Sequence, residues 1–481
     1  MPERMQESVF PNFESGTNRT HPARIGLTTS QECERCSRVV TSGVLHIMST
    51  FRHRRIPLSL TALPALLAVS AMLVVGAQAW GQGRLCNPRS FGAKADGITK
   101  DTQAIQQAID SCATRGGGTV ELKDGIFLSA PIQLKSNITL KIDAGASLLG
   151  SPDHADYAPK VEFREPAITS LVSATNAHNV AIIGEGLIDG QGQSWWQMAP
   201  SVRDAGIMGN PHPRPRLVVF DHCKNVRVEG VTLQNSPFWQ LVPYYCHNVI
   251  IRNIHVLAPP HSPNTDAIDP FSSDNVIIEH VYADVGDDDV AIKSGAINSP
   301  GPDSPSRNIR ITDCTFLHGH GLSIGSEIAG GAQNILAERI HFDGTSNGIR
   351  VKANRDRGND VSHLIFRDIE MKNVGNTILI SEYYPRMLPQ GEVAAAPVTR
   401  LTPHFHDILI ENLTSTGSRN AGVIVGLPES PIRGVVLRNV KIQAQKGLTV
   451  GYADVSGQHV VITAVSGEAV TKLAHAKVSF Q

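Results

Sequence analysis

The feature that most limits the fold of this 481-residue chain is a recurring opening, an Asn followed by alternating β-branched residues. It stands at Asn137 (NITLKI), Asn179 (NVAIIG), Asn225 (NVRVEG), Asn248 (NVIIRN), Asn275 (NVIIEH), Asn308 (NIRITD) and Asn334 (NILAER). Weaker echoes begin at His363 (HLIFRD), Asp407 (DILIEN) and Gly434 (GVVLRN). The steps 225→248, 248→275, 275→308 and 308→334 are short and drift in length. Asn tolerates the left-handed turn conformation and can bond its own backbone. The alternation behind it sends every second Val or Ile to one side. A short, drifting period with variable loops fits a parallel β-solenoid better than a propeller, whose repeats run to about 40–45 residues. A β-sandwich gives no reason for such a register of Asn. The expected fold is all-β: a single-stranded, right-handed parallel β-helix.

One segment reads as a helix. Thr102 to Asp110 places Ala104, Ile105, Ala108 and Ile109 on one face, with Asp101 or Thr102 as its cap. Such a short N-terminal helix would cover the first coil, which otherwise exposes apolar core and unpaired backbone. No linker divides residues 80–481, which read as one domain. Two stretches break the rhythm, the Pro/Ser/Gly-rich 296–307 and the longer 385–404. Long loops on a solenoid usually wall a groove.

Ahead of that domain, Arg52, Arg54 and Arg55 precede the apolar run Ile56 to Gly76 and then Ala77-Gln78-Ala79. This is the layout of a secretory signal peptide over 48–79. The run is also long enough to span a bilayer, so a signal anchor is the alternative. Pro64 and the small-x-small site favour cleavage. Residues 1–47 are then an over-extended start or a disordered leader, and Cys33-x-x-Cys36 within it is weak evidence for a metal or redox site. The expected location is secreted or periplasmic, without stable membrane association. Export permits disulfides. Cys86 and Cys112 flank the first unit and are expected to pair. Cys223 and Cys246 hold equivalent repeat positions, and either bridge or serve as small buried ladder residues.

The chemistry-bearing residues follow the coils. Asn264-Thr265-Asp266, Gly286-Asp287-Asp288, Gly319-His320-Gly321 and Arg350-Val351-Lys352 come in that order, with Tyr384 as a fifth signal. The steps 266→287, 288→320, 320→350 and 352→384 each fit one coil with its loop. They predict a column of carboxylates, an imidazole and two cations on one face. Crowded carboxyls raise at least one pKa, an arrangement chains rarely keep without chemical purpose. Glycosidic cleavage needs such a set, one carboxyl to donate a proton and another to activate water or attack carbon. Arg350 and Lys352, two apart on a strand, face the same way and can clamp an anionic sugar. Taken singly these signals are bland: an Asp run is more often a solvated turn or calcium site, and Arg-x-Lys an exposed strand face. Their order at coil spacing outweighs that. Asp287 and Asp288 would point apart in an ideal strand, so the backbone must bend there, and Gly286 suits a bend.

With 43 basic and 44 acidic residues the net charge is near zero, which argues against nucleic acid as a partner. Any anionic ligand must meet a local basic cluster.

The signatures NTD (264–266), GDD (286–288) continued by Asp289 and VAIKSG, GHGLSIGS (319–326) and RVK (350–352, where RIK is usual) resemble those of glycoside hydrolase family 28, the polygalacturonase family. FGAKADGITKDTQAIQQAID and GGGTVELKDGIFLSAPIQLKSNITLKI resemble its first coils, and the likeness covers most of 86 to about 450. The resemblance implies a pectin-lyase-like solenoid and an inverting hydrolase of α-1,4-galacturonosyl linkages, monomeric, with galacturonan as its partner and no cofactor or metal. It implies Asp287 as general acid, Asp266 and Asp288 as activators of water, and His320 as the group that tunes the acid. Arg350 and Lys352 would bind a galacturonate carboxylate, while Asn264, Gly319 and Tyr384 would contact substrate. Asp289 has no implied role. The long 296–307 loop departs from compact endo-acting members and favours attack at chain ends. Rhamnogalacturonan or xylogalacturonan hydrolysis is the alternative within the family. A calcium-dependent lyase and a non-catalytic carbohydrate-binding solenoid are the alternatives outside it.

Overall fold

Every repeat opening becomes the same backbone corner. The structure, a computed structural model, describes residues 84–162, 164–199 and 213–481. The expected signal peptide, the expected leader and the Cys33-x-x-Cys36 pair lie outside the described residues. Asn137, Asn179, Asn225, Asn248, Asn275, Asn308 and Asn334 all adopt left-handed φ of 53–62°. The echoes His363, Asp407 and Gly434 do so too, at 56°, 54° and 65°. The Asn amides stack: Asn179 donates to Asn137 at 2.9 Å, Asn225 to Asn179 at 2.9 Å, Asn248 to Asn225 at 3.0 Å and Asn275 to Asn248 at 2.6 Å. The ladder skips once, where Asn308 donates to Asp274 at 2.7 Å instead.

Behind each corner the strands pair in parallel, coil upon coil. Val180, Val226, Val249, Val276, Ile309, Ile335, Leu364, Ile408 and Val435 stand in register. All are buried, and each such side chain contributes about 1.5–3 kcal/mol. This parallel β-helix is interrupted by one antiparallel hairpin among the described residues, Pro159–Glu162 with Glu165–Ile168.

The face that matters for function runs through Leu241–Tyr244, Ile268, Val290–Ile292, Leu322–Ile324, Asn347–Lys352 and Asn376–Ser381. Val290, Ile292, Leu322, Ile324, Ile349 and Val351 point into the core. The alternate residues Ala291, Ser323 and Arg350 line up on the outside.

The helix Thr102–Ala113 buries Ala104, Ile105, Ala108, Ile109 and Cys112 over the first coil. Asp101 is its N-cap residue but makes no side-chain cap. Its carboxylate instead accepts from the backbone N–H of Lys94 (2.6 Å) and Ala95 (2.8 Å) and ties down the preceding loop. A second helix, the single turn Gln193–Trp196, has no counterpart in the sequence reading. Cys86 and Cys112 form a disulfide that ties the first strand to the capping helix, across 26 residues. In the chain-entropy picture such a loop is worth about 3–4 kcal/mol. The Cys86→Ala/Cys112→Ala double variant is therefore expected to lose stability of that order, read from urea unfolding against the oxidised parent. Cys223, Cys246 and Cys314 are buried thiols. Of the two readings open for Cys223 and Cys246, the ladder holds: their Sγ atoms contact Ala174 O (3.4 Å) and Phe220 O (3.2 Å).

Candidate active site

Asn264 sits at a left-handed corner, φ 57°. The buried Arg214 fixes it, donating from Nη2 to Asn264 Oδ1 (2.7 Å) and from Nη1 to Pro237 O and Pro263 O, both 2.8 Å. Thr265 Oγ1 accepts the Gly286 N–H at 3.0 Å and so joins this coil to the next. Gly286 is not in the left-handed region, so its expected role as a bend is replaced by another. A Cβ there would lie 2.2 Å from Ser262 O, so only glycine lets the two coils approach this closely.

The strand after it begins only at Val290, so residues 286–289 escape strict alternation. Asp287 and Asp288 consequently reach the same site. Asp287 Oδ1 meets His320 Nδ1 at 2.8 Å, and the Asn264 amide donates to Asp287 Oδ2 at 3.5 Å. Asp288 accepts from Ser323 Oγ (2.7 Å), Arg350 Nη1 (3.1 Å) and Lys352 Nζ (2.8 Å). Asp289 turns away and accepts the Gly321 N–H at 3.0 Å. Gly319, expected to contact substrate, also packs closely on the acids: a Cβ there would lie only 2.5 Å from Asp287 O and 2.7 Å from Asp289 Oδ2. Tyr384 lies beside the cations, its ring centre 5.9 Å from Arg350 Cζ and 5.4 Å from Lys352 Nζ.

The expected column is staggered rather than straight. Ile268 pairs with Val290, so Asp266 is level with Asp288 and not Asp287. Leu322 pairs with Val290, which keeps the expected step from 288 to 320 and puts His320 level with Asp288. Ile349 pairs with Leu322, so Arg350 is level with Ser323 and not with His320. Lys352 pairs with Ser381, and Tyr384 comes three residues further along. Arg350 and Lys352 therefore reach diagonally across a coil to Asp288.

Burial alone would neutralise all of these carboxyls; the partners decide which stay charged. Burial, then Asp269 and Asp287, push Asp266 well above the usual carboxylate range. Burial also raises Asp287, but the His320 hydrogen bond and charge more than offset it, so its pKa is lowered. For Asp288 the burial penalty is outweighed by Lys352 and then Arg350, which hold it strongly ionised. His320 is lowered by burial and raised more by Asp287, ending above its ordinary value. The surroundings thus favour a proton on Asp266 and on the His320 imidazole over one on Asp287. Asp289, its pKa pushed well up by burial, serves the coil contact through Gly321. Asp287, Asp288 and His320 can each offer one metal-ligand atom within 4.8 Å of the others. Arg350 and Lys352 already neutralise that cluster, which disfavours a cation.

Sequence reasoning missed the groups behind the acids. Lys293, within the VAIKSG run, lies 3.6 Å from Asp266 Oδ2, 3.8 Å from Asp269 Oδ1 and 3.4 Å from Glu327 Oε2. Its ammonium also sits 4.7 Å from the Trp239 ring centre, and Arg216 lies over the same ring at 4.6 Å. Arg216 in turn donates to Glu162 at 2.6 Å, which brings the antiparallel hairpin to the edge of the site. A basic residue directly after an inward-outward-inward strand (Val290–Ile292) is the available signal for Lys293.

A parallel β-helix carrying grouped carboxyls beside two cations provides the acid–base pair that a glycoside hydrolase needs. Residues 112–460 match the model of glycosyl hydrolases family 28, and the chain belongs to that family. It is 32% identical over 369 residues to a probable polygalacturonase of Vitis vinifera, covering 73% of each chain. It is also 32% identical to an endo-polygalacturonase of Pectobacterium carotovorum subsp. carotovorum, over 73% of this chain and 85% of that one. A hyperthermoactive exopolygalacturonase from Thermotoga maritima superposes with a TM-score of 0.68 at 29% identity, covering 80% of this chain and 93% of that one.

Proposed function

We propose that the protein hydrolyses α-1,4-galacturonosyl linkages of galacturonan with inversion at the anomeric carbon. The observation that carries this reading is Asp287 set between His320 and two further carboxyls, one of them neutralised by Arg350 and Lys352. With 12% of its side chain exposed, Asp287 is the most accessible of the three, against 4% for Asp266 and 2% for Asp288. That exposure lets it reach a glycosidic oxygen. An anionic sugar excludes water and draws Arg350 and Lys352 toward its own carboxylate. Both effects add unscreened negative charge beside Asp287 and raise its pKa. The His320 proton then passes along the existing 2.8 Å bond, and Asp287 delivers it to the leaving oxygen. Asp288, fixed as a carboxylate, takes the proton from water, and Asp266 holds that water. Incubation with polygalacturonate in EDTA tests the class: reducing ends should appear without unsaturated-uronide absorbance, and the first product should have inverted anomeric configuration by proton NMR. Unsaturated product, or retention, overturns the reading.

Lys352 is nearly buried and bonded to Asp288, so its ammonium has two duties. Lys352→Ala is expected to weaken transition-state binding by about 1.5–3 kcal/mol, the worth of one charge-assisted hydrogen bond. The loss should appear in KM for oligogalacturonate and also in kcat, because Asp288 is left with Arg350 and the Ser323 hydroxyl. Unchanged affinity would remove Lys352 from the substrate site.

A specific observation favours attack from chain ends. Three insertions meet at the 296–307 loop. Arg164 of the hairpin pairs with Asp303 at 3.0 Å and donates to Pro302 O at 3.1 Å. Arg400 of the 385–404 excursion donates to Ser299 O and approaches Asp303 at 3.5 Å. Asn298 N–H donates to Asp356 O at 2.7 Å, next to Arg357, whose guanidinium lies 5.6 Å from the Tyr384 ring centre. Such a clamp beside the cationic side of the site would close one end. The expected result is monogalacturonate or one short product from the start, with slow loss of viscosity. Early mixed oligomers with a rapid viscosity fall would rule it out.

For the context of action, export with cleavage after Ala79 is the reading the N-terminal pattern supports, and the working unit is a monomer. Among the described residues no helix is long and apolar enough to cross a membrane. The N-terminal sequence of protein recovered from culture medium, with its size in solution, tests both.

A further inference from the structure

A second cluster of chemically active side chains lies away from the acids, where the 385–404 excursion returns to the β-helix. The strand Asp360–Lys372 pairs with His404–Val425 so that Asp360 faces His404 and Ser362 faces His406. His404 and His406 are two apart and share the outer side, while Phe405 between them is fully buried in the core. Asp360 Oδ1 lies 2.8 Å from His406 Nε2 and 3.4 Å from His404 Nδ1. The three side chains offer ligand atoms within 4.8 Å of one another. We propose that Asp360, His404 and His406 form a binding site for a divalent transition metal of the zinc class, which staples the returning end of the excursion to the coil beneath it.

Three features of the cluster go beyond proximity. Ligand atoms about 2.0–2.1 Å from a tetrahedral zinc stand roughly 3.3 Å apart, which matches the His404 separation of 3.4 Å, while the 2.8 Å hydrogen bond from His406 would open slightly to admit the ion. The remaining oxygen of Asp360 is already committed: Gln333 Nε2 and Ser362 Oγ donate to Oδ2, each at 2.9 Å. That leaves Oδ1 turned to the imidazoles. Finally, His406 Nδ1 faces Asp407 Oδ2 at 2.9 Å, so a carboxylate orients the ring through the nitrogen that a metal on Nε2 would not use. Two imidazoles and one carboxylate select zinc, nickel or copper over calcium or magnesium, which prefer all-oxygen shells. His404 is half exposed, so the fourth position opens to water.

The location gives the metal something to hold. His404 N–H donates to Asn359 O at 3.0 Å, and Gly358 N–H to Leu401 O at 2.9 Å, which roots the excursion at this point. Four residues before His404, Arg400 reaches the 296–307 loop. A metal here stiffens the base from which that contact is made.

The test is calorimetric titration of the full chain, freed of metal with EDTA and desalted, with zinc chloride alone. One zinc per chain with micromolar affinity is expected, together with a zinc-dependent rise in Tm and, with cobalt chloride, the visible absorption of a tetrahedral site. His404→Gln and Asp360→Asn should each weaken binding at least tenfold while the metal-free Tm stays near that of the parent. His404→Gln keeps an exposed polar side chain and so guards against a folding artefact. Asp288→Asn, which disrupts the other three-residue cluster, should leave zinc binding intact. No saturable site at millimolar zinc would overturn the proposal, as would binding that survives both first variants or vanishes in Asp288→Asn.

Discussion

Asp287→Asn is expected to lower kcat on polygalacturonate on the order of 10³-fold, the usual worth of a positioned general acid, with KM changed only a few-fold. The amide is nearly isosteric and still meets His320 and Asn264, so the fold and the sugar contacts survive. What is lost is the group that carries a proton from His320, 2.8 Å away, to the leaving oxygen. Burial raises the Asp266 carboxyl while His320 lowers that of Asp287, so the assignment needs a test that separates the two acids. An aryl galacturonide supplies it. A leaving group that departs without protonation should recover much of its rate in Asp287→Asn and little in Asp266→Asn, where the water position is damaged. The opposite pattern would exchange the two roles. The three carboxyls titrate as one group, so the pH profile should be a single bell and no limb belongs to one residue. Losses in Asp266→Asn, Asp287→Asn and Asp288→Asn should be far from additive.

The parts of this site that sequence can reveal are those with a repeating or local cause. The corner conformation at Asn137 through Asn334 depends on one residue type, and its substitutes His363, Asp407 and Gly434 tolerate the same φ, so all of these corners are readable from side-chain chemistry. Arg350 and Lys352 share a face because strands alternate, which needs no tertiary information. Register is less legible. The sheet pairs Leu322 with Ile349, so His320 and Arg350 are not level, because the turns between coils absorb different lengths of chain at each corner. Gly286 looks like a hinge because glycine is usually wanted for its φ. The reason here is the carbonyl of Ser262 on the coil before, which only packing brings within 2.2 Å of a missing Cβ. Arg214 is invisible for the same reason: it acts on Asn264, far along the chain, and carries no periodic mark.

Lys293→Met should be the most destabilising single substitution near the site, by about 3–5 kcal/mol, because it removes the cation that offsets the buried Glu327 carboxylate. Lys293 is buried, and burial alone would drive its pKa down. Glu327, then Asp266 and Asp269, drive it well up. In return burial raises Glu327, but Lys293, Arg357 and the Ser326 hydroxyl together outweigh it and hold its pKa down to about 2. The sign of the pH dependence follows. Glu327 has a folded pKa below its ordinary 4.5, so its contribution to stability is present above that value and fades as pH falls toward about 2. Without Lys293 the Glu327 carboxyl rises from about 2 and takes up its proton at higher pH than in the parent, whereas Asp266 and Asp269 are already raised in the parent. The deficit of Lys293→Met is thus expected to be largest near about pH 7 and to shrink as pH falls toward about pH 5. Urea unfolding of parent and variant across that range measures it. Glu327 is the partner this cation keeps ionised, since burial already pushes Asp269 to about 8 even with Lys293 nearby. The Lys293→Met/Glu327→Gln double variant should therefore recover part of the lost stability. A deficit independent of pH, with no recovery in the double variant, would mean that Lys293 acts through its packing on Trp239 and not through charge.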